Sequence, residues 1–201
     1  MRLVVLLIVP GVVLLGDFAG VFTGALDHPS IVSTCTVVNG VPLYPGIGRE
    51  HIVLGSPPEP HHSRNSIRWI LERQCLIREA VTDDWVDHAF KVANSERNRI
   101  AVRKMNADQL KDHVYIPAFA KQLSATHRAL LEKGMPCPTL LTWSLNDPVG
   151  DVSNGRLLVE MYQQKQPQTE VRYFNGTGHY PLRENPRALA LMLKHYLAAF
   201  A

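Results

Sequence analysis

The sequence predicts an α/β protein: a parallel sheet of about four to five strands, interrupted by a helical insertion. Three observations carry this. Short runs rich in Val, Ile and Leu alternate with segments whose apolar residues recur every three to four positions. A long block in the middle is helical only, as an insertion between strands would be. Two polar loops follow directly on strand-like runs, where open parallel sheets place their functional residues.

Leu3 to Val9 and Val12 to Leu15 are apolar runs split at Pro10–Gly11, the pattern of short strands covered on both faces. Ile31–Val38 is rich in β-branched residues and stops at Asn39–Gly40. Residues 41–63 carry Pro42, Pro45, Pro57, Pro58 and Pro60 with Gly46, Gly48 and Gly55, and read as a long loop. From Ser66 to about Leu131 the period is helical, with Ile67, Ile70, Leu71 and Cys75 on one face. Thr82 before Asp83 and Asp84 reads as a helix cap, with acids where the helix dipole favours them. A later helix stops at Gly134. Thr139–Trp143 reads as a strand, and Asn154 to Gln164 as a helix with Leu157, Leu158, Met161 and Tyr162 on one face. Glu170–Phe174 reads as a strand. Asn185–Pro186 caps a last helix with Leu189, Met192, Leu193, Tyr196, Leu197 and Phe200 in register.

Composition excludes several classes. The chain has 201 residues, 21 Lys plus Arg against 18 Asp plus Glu, and a net charge of +3. That bias is too small to mark a nucleic-acid protein. Hydrophobic residues make up 46% and charged residues 19%, so a real core can form. Cys35, Cys75 and Cys137 are odd in number and far apart, which excludes a disulfide scaffold and a zinc ribbon. His61–His62 has no carboxylate or cysteine at ligand spacing, so neither metal nor cofactor is expected. A membrane span needs roughly 20 apolar residues, and Pro10, Gly11 and Asp17 interrupt this stretch. No membrane association and a cytoplasmic location are expected, with a signal peptide at residues 1–20 as the minority alternative.

Chemistry concentrates in two loops, Ser144-Leu145-Asn146-Asp147-Pro148 and Asn175-Gly176-Thr177-Gly178-His179-Tyr180. An acid and a histidine on neighbouring strand ends can hydrogen-bond. The acid then fixes the imidazole tautomer and stabilises its cation. Asp147 alone would read as an Asp-Pro turn and His179 alone as a packed loop residue.

These residues carry a resemblance. Residues 138–200, with "LLTWSLNDPV" and "FNGTGHYPLRENP", resemble the C-terminal part of α/β-hydrolase-fold enzymes. They look most like the hydrolases that cleave carbon–carbon bonds in ring-fission products of aromatic degradation. "NSIRWILERQCLIREAVTDDWVDHAFKVA" is similar to the first cap helices of that group. "ALDHPSIVSTCTVVNG" resembles the segment that follows the nucleophile. The resemblance spans residues 12–201. It implies a partial hydrolase core at 1–40 with the nucleophile-elbow region, a loop and helical cap at 41–134, and a second core segment at 135–201. It also implies a small-molecule substrate, His179 as the catalytic base with Asp147 as the residue that orients it, and Arg68 facing an acidic substrate end. Arg68 reads equally as a surface residue paired with Glu72. Trp69, Trp85 and Phe90 read as pocket lining or, more readily, cap packing. Tyr180 is a substrate contact or a loop-packing residue.

The sequence departs from the family at the nucleophile. The family carries small-x-nucleophile-x-small on a sharp strand-to-helix turn. The matching stretch is Gly16-Asp17-Phe18-Ala19-Gly20, with Phe18 in the nucleophile's place. Either the nucleophile is absent, and hydrolase activity is impaired or lost, or Asp17 serves, as "LLGDFAG" resembles the aspartate elbow of haloalkane dehalogenases and epoxide hydrolases. Asp17 also reads as a helix N-cap. A third reading is a non-catalytic binding protein or a truncated gene product. The family's early strands and half of its oxyanion hole have no counterpart here. Without them Val12–Leu15 would form an exposed sheet edge, open to homo-oligomerisation unless Met1–Val9 covers it.

Overall fold

A computed structural model describes residues 4–7, 12–16, 32–39, 55–107, 110–163, 165 and 168–199. It contains one five-stranded sheet whose spatial order equals the chain order. The strands are β1 (Val4–Leu7), β2 (Val12–Gly16), β3 (Val32–Val38), β4 (Thr139–Ser144) and β5 (Thr169–Phe174). Pairs β2–β3, β3–β4 and β4–β5 are parallel, as expected. The sheet is not wholly parallel, however: β1 runs antiparallel to β2, from Val4 opposite Leu15 to Leu7 opposite Val12. Four residues separate the two strands, and so short a connection can only join antiparallel neighbours. β1 therefore takes the edge position, and the backbone of Val12–Leu15 is paired on both sides.

Burial explains why these runs are strands. Thr34 to Val37 of β3 and every residue of β4 are buried, the pattern of parallel strands covered on both faces. β5 lies at the other edge and is half-exposed, and its Glu170 and Arg172 pair at 2.9 Å. Charges on an edge strand oppose further pairing.

Between β3 and β4 comes the helical block: α1 (Arg64–Gln74), α2 (Asp83–Ala93), α3 (Glu96–Asn106) and α4 (Ile116–Lys133). Ser63 starts α1, its hydroxyl accepting from the Ser66 N–H, and Ser95 does the same for α3 with Asn98. Thr82 precedes α2 as expected but makes no side-chain cap bond to the helix backbone. Ile67, Leu71, Cys75, Val81 and Val86 form the core of this block. α4 ends at Gly134, whose φ of +75° suits glycine.

The chain closes with α5 (Val152–Tyr162), α6 (Pro181–Glu184) and α7 (Pro186–Ala198). α5 starts two residues earlier than Asn154, because the Asp151 carboxylate accepts from the Ser153 N–H and caps the helix there. Leu158 is buried, but Leu157 is 42% exposed and so does not belong to the buried face. Gly155 allows α5 to lie on β4: a Cβ there would stand 2.5 Å from the Trp143 ring. In α7, Asn185 caps as expected, and Leu189 and Tyr196 are buried.

Candidate active site

Because β4 and β5 are parallel neighbours in register from Thr139–Thr169 to Ser144–Phe174, their following loops leave the same sheet edge side by side. The Leu145 N–H donates to the Phe174 carbonyl at 2.7 Å, and the Gly176 N–H to the Asn146 Oδ1 at 3.0 Å. These bonds bring Asp147 to His179.

Asp147 Oδ2 lies 3.0 Å from His179 Nδ1. The Asp147 side chain is fully buried and that of His179 is 13% exposed. The other carboxylate oxygen, Oδ1, accepts from the Val149 and Gly150 N–H groups at 2.8 and 3.1 Å. Asp147 therefore makes its own turn and holds the imidazole at once. The Trp143 indole braces the turn from behind by donating to the Gly150 carbonyl at 2.9 Å. An ionised carboxylate only accepts, so Nδ1 carries a proton, and in the neutral ring Nε2 keeps a lone pair. A ring held in this tautomer suits general-base work.

Asn39 was legible in the sequence only as a strand stop, yet it organises the histidine loop. It follows β3 at φ +48° and is buried. Its side-chain N–H groups reach the Ser144 Oγ at 3.1 Å and the carbonyls of Gly178 and His179 at 3.2 and 3.0 Å. Its Oδ1 accepts from the Ser144 N–H at 2.8 Å. The Ser144 and Thr177 hydroxyls meet at 3.0 Å. Three strand ends are thus tied into one polar cluster, and satisfied buried networks of this kind fix geometry. The only hint in the sequence was Asn before Gly, a pair that favours positive φ.

The helical block also touches the histidine loop. The His179 N–H donates to the Gln74 carbonyl at 2.9 Å, and the Tyr180 hydroxyl to the Gln74 Oε1 at 2.8 Å. Tyr180 packs edge-on against Trp85 at 5.0 Å and against the His179 ring at 4.9 Å. Tyr180 thus joins the core of the block and the histidine.

The remaining predicted residues make other contacts. The Arg68 guanidinium is engaged with Asp83, with the Val81 carbonyl at 3.1 Å and with Glu72 at 3.6 Å. Trp69 lies under the Arg73 guanidinium at 4.8 Å and against Gly55. Phe90 is 38% exposed. His61 pairs with Glu59 at 2.7 Å. A cavity of about 260 Å³ lies between residues 61–62 and the facing parts of α2 and α3, and neither Asp147 nor His179 lines it. Gly16 ends β2, whose parallel pairing with β3 aims it at the same sheet edge as Asp147 and His179. Asp17 and Phe18, next in sequence, lie outside the described residues. Among the described residues no group of three or more His, Cys, Asp or Glu could hold a metal. No described helix is long and apolar enough to cross a membrane.

No protein-family model matches the sequence, and no curated protein does. Solved structures match the fold. A meta-cleavage product hydrolase superimposes with a TM-score of 0.67 at 16% identity, over 94% of this chain and 65% of that one. The 2-hydroxy-6-oxo-6-phenylhexa-2,4-dienoate hydrolase of a Rhodococcus strain gives 0.62 at 16% identity, over 92% and 63%. An esterase of another Rhodococcus strain gives 0.58 at 16% identity, over 94% and 66%. Sheet order, helical insertion and the paired loops thus define the α/β-hydrolase fold. Within it, the chain is similar to meta-cleavage product hydrolases and spans less than two thirds of their length.

Proposed function

We propose that this chain carries the acid–histidine part of an α/β-hydrolase site, with His179 as general base and Asp147 as the residue that orients it. The supporting observation is the 3.0 Å contact between His179 Nδ1 and a fully buried carboxylate whose other oxygen two backbone amides hold. The substrate class is a small molecule with a carbon–carbon or ester bond next to a carbonyl, as the resemblance of residues 138–200 implies; a dienoate hydrolase and an esterase are among the similar structures. Turnover is impaired, because the sequence has Phe18 where the family places its nucleophile and phenylalanine offers no attacking atom.

The test is hydrolysis of p-nitrophenyl esters and of a ring-fission dienoate. Slow turnover that disappears in His179→Ala supports the reading, and turnover unchanged by that substitution overturns it. A fluorophosphonate probe is expected to leave the chain unlabelled.

A second reading rests on the end of β2, whose last residue Gly16 precedes Asp17 in sequence. Asp17 would attack carbon, breaking the carbon–halogen bond with loss of halide or the carbon–oxygen bond of the epoxide ring, to give an ester; water activated by His179 would hydrolyse it, releasing an alcohol or diol and restoring the Asp17 carboxylate. Asp17→Asn should then abolish turnover of a haloalkane or epoxide panel, and unchanged turnover rejects the idea.

A further inference from the structure

Glu184 is a carboxylate at the end of α6, only 9% exposed, with no cation within ion-pair distance among the described residues. Backbone amides surround it instead. Oε2 accepts from the Leu76 and Ile77 N–H groups at 2.7 and 2.9 Å. The Gly178 N–H donates to both oxygens, at 2.9 and 3.0 Å, and the Tyr180 N–H donates to Oε1 at 3.3 Å. Two of these amides follow α1 in the helical block. The other two flank His179. A buried anion in such a cage is held by charge-assisted hydrogen bonds, which are short and directional.

The contact is close as well as polar. A Cβ on Gly178 would stand 2.6 Å from the Leu76 nitrogen and 2.7 Å from the Gln74 carbonyl oxygen. The His179 N–H itself donates to that carbonyl. Residues 74–77 and 178–180 therefore meet backbone to backbone, with the Glu184 carboxylate between them.

We propose that Glu184 is a positioning residue: it locks the end of α1 to the histidine loop and so sets the His179 ring against Asp147. This rests on the reading of His179 as the base, and it adds a cause for that geometry outside the acid–histidine pair. Asn39 fixes the carbonyls of Gly178 and His179 from the sheet side. Glu184 fixes the amides of Gly178 and Tyr180 from the side of the helical block. The ring is caught between the two. A shift of the block relative to the sheet would move the Leu76 and Ile77 amides, and through one carboxylate the histidine loop.

The experiment reads the imidazole directly, so it does not depend on turnover. Ring ¹⁵N signals of His179 are recorded in alkaline buffer, where imidazole is neutral and its two tautomers are distinguishable. His179→Ala assigns them, and Asp147→Asn, whose NH₂ donates to Nδ1, gives the Nε2–H ring. In wild type the Nδ1–H tautomer should dominate. In Glu184→Gln, which places an NH₂ donor among N–H donors, the tautomer population should move toward that of Asp147→Asn. A population unchanged from wild type overturns the proposal. Should the variant fail to fold, hydrogen exchange in wild type decides. If one carboxylate locks both sides, the amides of Leu76, Ile77 and Gly178 open together, and their protection factors, with intrinsic exchange rates divided out, agree within about tenfold. A larger gap between residues 76–77 and 178 overturns it. Absence of any hydrolase turnover would count against the base assignment and leave both readouts intact.

Discussion

Asp147 Oδ2 and His179 Nδ1 stand 3.0 Å apart across the ends of neighbouring parallel strands, 32 residues apart in sequence. The carboxylate has no exposed surface, and its second oxygen is already committed to two amides. The pair is therefore built as one unit.

Asp147→Asn separates orientation from mere presence of the ring. The asparagine Oδ1 still accepts from Val149 and Gly150, but its NH₂ now faces His179. Nδ1 must then accept, the proton moves to Nε2, and the base is lost. Turnover of the ester probe should fall to the level of His179→Ala, because the wrong tautomer is imposed, with the fold intact by circular dichroism. Retained turnover would show that the pair does no catalytic work.

Gly178→Ala tests the junction between the helical block and the histidine loop. The added methyl meets two backbone atoms under 3.0 Å away, and neither can rotate aside. Overpacking of this kind costs about 1–3 kcal/mol, read by urea denaturation. Gly176→Ala in the same loop meets nothing within 4 Å and carries only the strain of φ +78°. It should cost less than Gly178→Ala.

The three described thiols should react slowly in the native chain. Cys35 is pushed well above its ordinary range by burial and then by Cys137. Cys75 is pushed up to about 12 by burial, with Glu184 and Glu72 adding to it, and Cys137 to about 11 by burial. Only thiolate attacks. Iodoacetamide at mildly alkaline pH should label the native chain far more slowly than the urea-unfolded chain. Equal rates would contradict the buried positions.

Acid should loosen the helical block from the Asp83 side. Hydrogen bonding to Arg64, then the charges of Arg64 and Arg68, hold Asp83 below its ordinary value of 3.8. A carboxylate lowered in the folded state stabilises it above the unfolded value, and that contribution is lost as pH falls through the folded one. The melting temperature should therefore drop below about pH 4, and less steeply in Asp83→Asn. The group is exposed, so the effect is small and should shrink further in high salt.

Much of the fold was legible because it rests on local pattern. A β-branched run at Ile31–Val38 and a short apolar run at Thr139–Trp143 marked what the structure has as Val32–Val38 and Thr139–Ser144, and the 3–4 spacing of Ile67, Leu71 and Cys75 marked the inner face of α1. Asp147 and His179 were legible through strand-end placement. Asn39 and Glu184 were not. Each acts on residues more than 100 positions away: Asn39 on Ser144 and His179, Glu184 on Leu76 and Ile77. No spacing rule reaches across such a gap.

By itself the sequence determined the approximate strand runs, the helical character of the central block and the last helix, the two chemistry-bearing loops and the absence of a serine in the stretch from Gly16 to Gly20. Those are properties of side-chain type and period. Only the tertiary structure decided that β1 turns back to cover β2, that Arg68 pairs with Asp83 as well as Glu72, and that the buried Glu184 carboxylate joins the helical block to the histidine loop. The physical reason is that a hydrogen bond or ion pair depends on where the folded chain brings its donor and acceptor, and that placement is fixed by packing the sheet and helices together.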